Sequence, residues 1–180
     1  MWTQDVDDLL LDEGLCTIEA EFLTTELRIR ASITSPESRL SDHLNSSTSM
    51  IEIQPTHVET LSAGEAIEID GRDAYLSKAH LLAVIPILEP DGQVPAAAAL
   101  WVGTISQTCW VGLGAYSVAG RLHMDAERNP RLFLRSLEQR QFIPLTDARL
   151  TAPDGAVREY AAVVVNRHHF HLIVLEGATL

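Results

Sequence analysis

The sequence predicts an all-β protein of two tandem five-stranded small barrels, each carrying one short helix. Three observations predict it. Apolar and polar residues alternate with a period of two through much of the chain, as in strands with one buried face. Residues 39–58, RLSDHLNSSTSMIEIQPTHV, return in altered form at 131–149, RLFLRSLEQRQFIPLTDAR. In both, an Arg-Leu pair opens a helical segment and an apolar pair, Met50-Ile51 or Phe142-Ile143, opens a strand. Further on, 75–89, YLSKAHLLAVIPILE, is answered by 164–176, VVNRHHFHLIVLE. A period of about ninety residues is a small domain and not a solenoid repeat. The expected organisation is an acidic N-terminal segment (1–13), a first β module (14–89), a linker (90–96) and a second β module (97–177).

In the first module, Cys16, Ile18, Ala20 and Phe22 alternate with Thr17, Glu19 and Glu21; after Thr24-Thr25 the alternation resumes as Leu27, Ile29, Ala31 and Ile33. Two such runs with a short polar break make a hairpin, with Glu19 or Glu21 facing Arg28 or Arg30 across it. Ser35-Pro36 reads as a helix start, Leu40 and Leu44 share a helical face, and the Asn45–Ser49 run ends it. The next strand is 50–61, with an edge or bulge expected at Pro55. A further strand is expected over 66–76, with a bulge at Asp70-Gly71, and Ser77-Lys78 makes a tight break before the apolar run 79–88. In the second module the opening pair is expected at 101–105 and 110–122, the helix at 130–137, and strands at 142–149, 157–165 and 168–175. Pro153-Asp154-Gly155 is a turn and Asn166-Arg167 the second tight break.

Composition narrows the function. At 180 residues and 46% hydrophobic, the chain buries one sizeable core or two modest ones. No apolar run approaches the roughly 20 residues that cross a bilayer, and the N-terminal stretch is acidic where a signal peptide is basic. A soluble cytoplasmic protein without membrane partners is expected. Cys16 and Cys109 match no metal-ligand spacing and read as buried thiols. The net charge is −12 and unevenly spread: residues 1–92 hold 5 Lys and Arg against 18 Asp and Glu, residues 93–180 hold 8 against 7. An acidic first module repels nucleic acid and anionic lipid. Only the second module, with Arg121, Arg128, Arg131, Arg135 and Arg140, offers a basic cluster, which suits head-to-tail pairing between chains.

The paired tight breaks, 76–78 and 165–167, resemble the junction before the closing strand of the Sm-like barrel family. Neither has that family's glycine, and here the helix follows the second strand. The string Arg39-Leu40-Ser41-Asp42-His43-Leu44-Asn45 is similar to the signature of uncharacterised bacterial domains built as tandem β repeats, a resemblance that covers most of the chain and brings no activity with it. The Sm-like resemblance implies assembly by strand pairing between neighbouring barrels, and RNA binding in a ring, which the acid balance opposes.

Candidate chemistry is sparse. Ser41, Asp42 and His43 are the residue types of a hydrolytic triad, but consecutive helical side chains point about 100° apart and cannot relay a proton. His169 and His171 would share a strand face, yet no third metal ligand is defined beside them. The glycines at 112, 114 and 120 miss the dinucleotide spacing, and Glu65, Glu68, Asp70 and Asp73 read as a solvated acidic loop. The expectation is therefore a non-enzymatic, self-assembling or protein-binding module with no cofactor or metal. Its expected interaction residues are Arg39, Asp42 and Asn45 in the first module and Arg131, Arg135 and Arg140 in the second. The alternative is a barrel that uses those arginines to bind a small ligand or nucleic acid.

Overall fold

A computed structural model describes residues 15–37, 39–69, 72–87, 104–125 and 140–176. The first half contains β1 (Cys16–Thr24), β2 (Leu27–Ser35), helix α1 (Leu40–Leu44), β3 (Met50–Thr60), β4 (Ala74–Ser77) and β5 (Leu81–Pro86). The second contains β6 (Thr104–Leu113), β7 (Tyr116–Asp125), β8 (Phe142–Thr151), β9 (Val157–Asn166) and β10 (Phe170–Leu175). A single 3-10 turn joins β4 to β5 (Lys78–His80) and β9 to β10 (Arg167–His169).

The all-β class is as the alternation predicts. The strands do not form two closed barrels, however. They make one open antiparallel sheet in the order β10-β6-β7-β8-β9-β5-β1-β2-β3-β4. Within it the second half runs β10-β6-β7-β8-β9 and the first β5-β1-β2-β3-β4, each with its fifth strand beside its first, followed by the second, third and fourth. The halves meet where β5 pairs with β9, Ala83 opposite Val165 and Val84 opposite Val164. Among the described residues, β4 and β10 are the outer edges.

Local chemistry accounts for the elements. In the β1–β2 turn Thr24 Oγ1 accepts from the Glu26 and Leu27 N–H groups at 3.1 and 2.8 Å, so two donors of the turn are satisfied by one hydroxyl. Across the hairpin the expected ion pairs form diagonally. Arg28 lies 3.2 Å from Glu21 and 3.0 Å from Glu59, and Arg30 lies 3.5 Å from Glu19. The Arg28 Nε and Glu21 Oε1 atoms are close enough to attract but not aligned as a hydrogen bond.

The strand at Pro55 is bulged, as expected: Arg30 faces His57 while Ala31 faces Pro55, which leaves Thr56 over. The second half bends at the matching place, where Ala119 faces Arg149 and Arg121 faces Thr146. Asp147, in the extra pair, takes the left-handed conformation with φ 48°. Gly120 sits opposite that bend. A Cβ there would lie 3.1 Å from the Thr146 carbonyl oxygen and 3.2 Å from Leu145 Cβ.

Four expectations change. Ser35 ends β2 instead of capping a helix, and its hydroxyl accepts from Glu37 N–H at 2.9 Å; Pro36 restrains the turn and α1 begins only at Leu40. The strand expected over 66–76 shortens to β4, and Asp70-Gly71 lies outside the described residues. The run 110–122 is not one strand, because Gly114, at φ +60°, turns the chain between β6 and β7. The runs 79–88 and 168–175 lose their first residues to the 3-10 turns, so β5 and β10 begin at Leu81 and Phe170. The helix expected at 130–137, the segment 1–13 and the linker 90–96 lie outside the described residues.

Two apolar clusters flank the junction, and each borrows from the other half. Phe142 and Val164 of the second half pack with Phe22, Ile33, Leu44 and Ile51 of the first. Leu23, Ala83 and Ile85 of the first half pack with Val111, Leu122 and Val165 of the second. β5 is therefore buried on both faces, which its unbroken apolar run LLAVIP reflects. Among the described residues no helix is long and apolar enough to cross a membrane.

Candidate functional site: the junction and the two open edges

The residues singled out in α1 divide. Arg39 and Asp42 form an exposed pair at 4.0 Å, three residues apart, which adds little in high dielectric. Asn45 does something the sequence did not suggest. Its Nδ2 donates to the carbonyls of Ser41 and Phe142, each at 2.8 Å, and its Oδ1 accepts from Phe142 N–H at 3.0 Å. The side chain thus stands in for a strand neighbour at the start of β8 and ties α1 to the second half. Of the arginine cluster, Arg131 and Arg135 lie outside the described residues. Arg140 is exposed, and its carbonyl accepts from Arg167 Nε at 3.1 Å.

A second asparagine holds the junction from the other side. Asn166, fully buried, donates from Nδ2 to the carbonyls of Lys78 at 3.1 Å and Leu81 at 2.7 Å, and accepts from His168 N–H. His169 Nε2 donates to the Ala79 carbonyl at 2.8 Å. The 3-10 turn of the second half is therefore bonded to that of the first. His168 and His169 belong to this turn, so the shared strand face expected for His169 and His171 does not arise. Among the described residues, no group of three or more His, Cys, Asp or Glu stands close enough to hold a metal.

Lys78 is buried beneath α1. Its ammonium donates to the Ser46 carbonyl and hydroxyl at 3.0 Å each and to Thr48 Oγ1 at 3.3 Å, closing the loop after the helix. Burial pushes its pKa down. Ser41 and Asp42 do not engage His43; its Nδ1 meets Ser35 Oγ at 2.8 Å instead. That hydroxyl also accepts from Glu37 N–H, and it can either donate to the imidazole or accept from it, depending on the tautomer. Burial, and then the nearby Lys78 charge, lower the His43 pKa against a smaller opposing effect of Glu37. Ser35 is completely buried, whereas His43 is partly exposed.

The outer edges contrast with the junction. Counting along each half from its 3-10 turn sets Leu172 and Val174 of β10 at the places of Ala83 and Ile85 of β5. Ala83 and Ile85 are buried, whereas Leu172 and Val174 are 54% and 43% exposed. On the other edge Tyr75 of β4 stands at the place of Val164 of β9, and Met50 at the place of Phe142. Tyr75 is 65% and Met50 43% exposed, whereas Val164 and Phe142 are buried. Beside β10, the exposed Trp110 faces Val174 across the strand pair. These edge residues carried no polar signature in the sequence; the only signal was that β10 is as apolar as β5. Comparison with known proteins finds no matching family model, no matching curated protein and no matching solved structure.

Proposed function

We propose that the chain is a self-assembling, protein-binding module without catalytic activity that takes up a polypeptide strand along its open sheet edges. The observation that carries this reading is β10, which among the described residues pairs on one side only, with β6, and carries exposed Leu172 and Val174. Edges of this kind in stable proteins are short, charged or covered; an open apolar one is a pairing surface. The chain is read as two repeats of one five-strand unit. That reading is supported by the common strand order, the matching 3-10 turns and the matching bulges.

The test is the solution mass by light scattering after size exclusion, with absorbance at 260 and 280 nm followed across the same peak. A mass that is a multiple of 19.8 kDa supports self-assembly. A single-chain mass removes it, and a protein partner must then be sought. Excess absorbance at 260 nm would instead favour nucleic-acid binding through Arg131, Arg135 and Arg140.

A further inference from the structure

We infer that the strand taken up by β10 is β4 of a second copy, bound head to tail in the register in which β5 holds β9. This rests on the strand-uptake reading and adds the occupant and its register. The intramolecular junction supplies the template. In it Ala83 faces Val165 and Val84 faces Val164, and both faces of β5 are covered. Moving each residue to its counterpart sets Leu172 opposite Leu76 of the second copy, and Ile173 opposite Tyr75 of the second copy.

The apolar surface on each edge is what that pairing requires. Leu172 and Val174 would cover the first-half core of the second copy, where Ala74 and Leu76 are only partly buried. Met50 and Tyr75 of the second copy would enter the second-half core beside β10, as Phe142 and Val164 enter the first-half core within one chain. The two edges differ, so the contact is heterologous and leaves one free edge of each kind on every growing assembly until a ring closes. Ser77 stands where the junction has Asn166, and a serine side chain is too short to reach two carbonyls at once. The contact between copies is therefore weaker than the one within the chain, and the assembly reversible.

The experiment uses the full-length chain and two edge variants, Leu172→Lys and Tyr75→Lys, each at an exposed position. The wild type should gain mass with concentration by light scattering. Each variant alone should stay at the mass of one chain over the same range, with an unchanged far-UV spectrum. Mixed in equal amounts, the variants should form a species of two chains and nothing larger. The intact β4 of the Leu172→Lys chain then meets the intact β10 of the Tyr75→Lys chain, and no further compatible edges remain. Misfolding cannot produce that gain of assembly.

A Tyr75→Lys chain that assembles like the wild type, or variants that do not combine, would overturn the head-to-tail assignment. If Leu172→Lys alone abolished assembly, strand uptake at β10 would stand with a different occupant. A wild type that stays single at every concentration would remove self-assembly and with it the head-to-tail assignment, leaving strand uptake only from a different protein.

Discussion

Truncation of Asn166 to alanine tests whether the junction between the halves is held by side-chain hydrogen bonds or by apolar packing alone. The asparagine makes three hydrogen bonds, to Lys78 O, Leu81 O and His168 N, at a site closed to water. At about 1 kcal/mol net for each, the loss is about 3 kcal/mol, the Lys78 carbonyl keeping only the Leu81 N–H that closes the 3-10 turn. With a urea m-value of roughly 2 kcal/mol/M, the unfolding midpoint should fall by about 1.5 M. Asn166→Asp keeps the shape and reverses the chemistry. A carboxylate facing two carbonyl oxygens is repelled, and its pKa in the folded state is raised. Protonated, it donates to one of the two carbonyls. The sign follows: this variant regains stability as pH falls below the raised folded value and loses it as pH rises through it, the opposite of an ordinary salt-bridged Asp. Ser77→Ala is the control, since Ser77 occupies the counterpart position without these bonds. A midpoint for Asn166→Ala within ~0.3 M of the Ser77→Ala value would refute the argument.

Gly120→Val should cost about 1–3 kcal/mol, because the new side chain meets the Thr146 carbonyl and Leu145 at the bend; calorimetry should show a fall in Tm of several degrees. Cys109 is buried, and its thiol is pushed up to about 11, first by burial and then by Glu176. A disulfide reagent at pH 8 should therefore titrate one thiol per native chain, Cys16, and two only after unfolding. Protonation of His43 opposes the fold, since its folded pKa lies below the ordinary 6.5. Its contribution is complete above pH 6.5 and is lost as pH falls through the lower folded value. His123, also lowered chiefly by burial, acts in the same direction. His43→Gln should accordingly flatten, without abolishing, the decline in stability between pH 7 and 5.

The strands with one buried face were the legible part of the sequence. β1, β2 and β3 alternate cleanly, and the bulge at Pro55 followed from a residue that cannot donate to a ladder. The β6–β7 hairpin was not legible, because its turn, Gly114-Ala115, lies between Leu113 and Tyr116 with no polar break; only the left-handed backbone at Gly114 marks it. The union of the halves was harder still. An apolar run like that of β5 says that both faces are covered, but not by what. The sequence marks Asn45 as an interaction residue at the end of a helix, and in the structure its side chain bonds the two halves. The reason is that an asparagine's donor and acceptor together copy a peptide group, a role that depends on which strand happens to lie beside it. Asn166 reads in the sequence only as half of a tight break, for the same reason.

The unequal charge of the two halves bears on how copies would meet. Residues 1–92 carry 13 more acidic than basic groups, whereas residues 93–180 carry one more basic than acidic. Pairing β4 with β4 would bring two acidic halves together, whereas pairing β4 with β10 sets an acidic half against a nearly neutral one, so repulsion disfavours the β4–β4 arrangement. Every copy added still brings a net charge of −12. An assembly held by apolar edges is thus opposed by electrostatics, and raising salt from about 0.05 to 0.5 M, which shortens the screening length to well under 10 Å, should strengthen it. An assembly held by ion pairs between the acidic half and Arg131, Arg135 and Arg140 should come apart in the same titration. Light scattering across that salt range separates the two: a mass that falls with salt would place the contact at the arginines and not at the open strands.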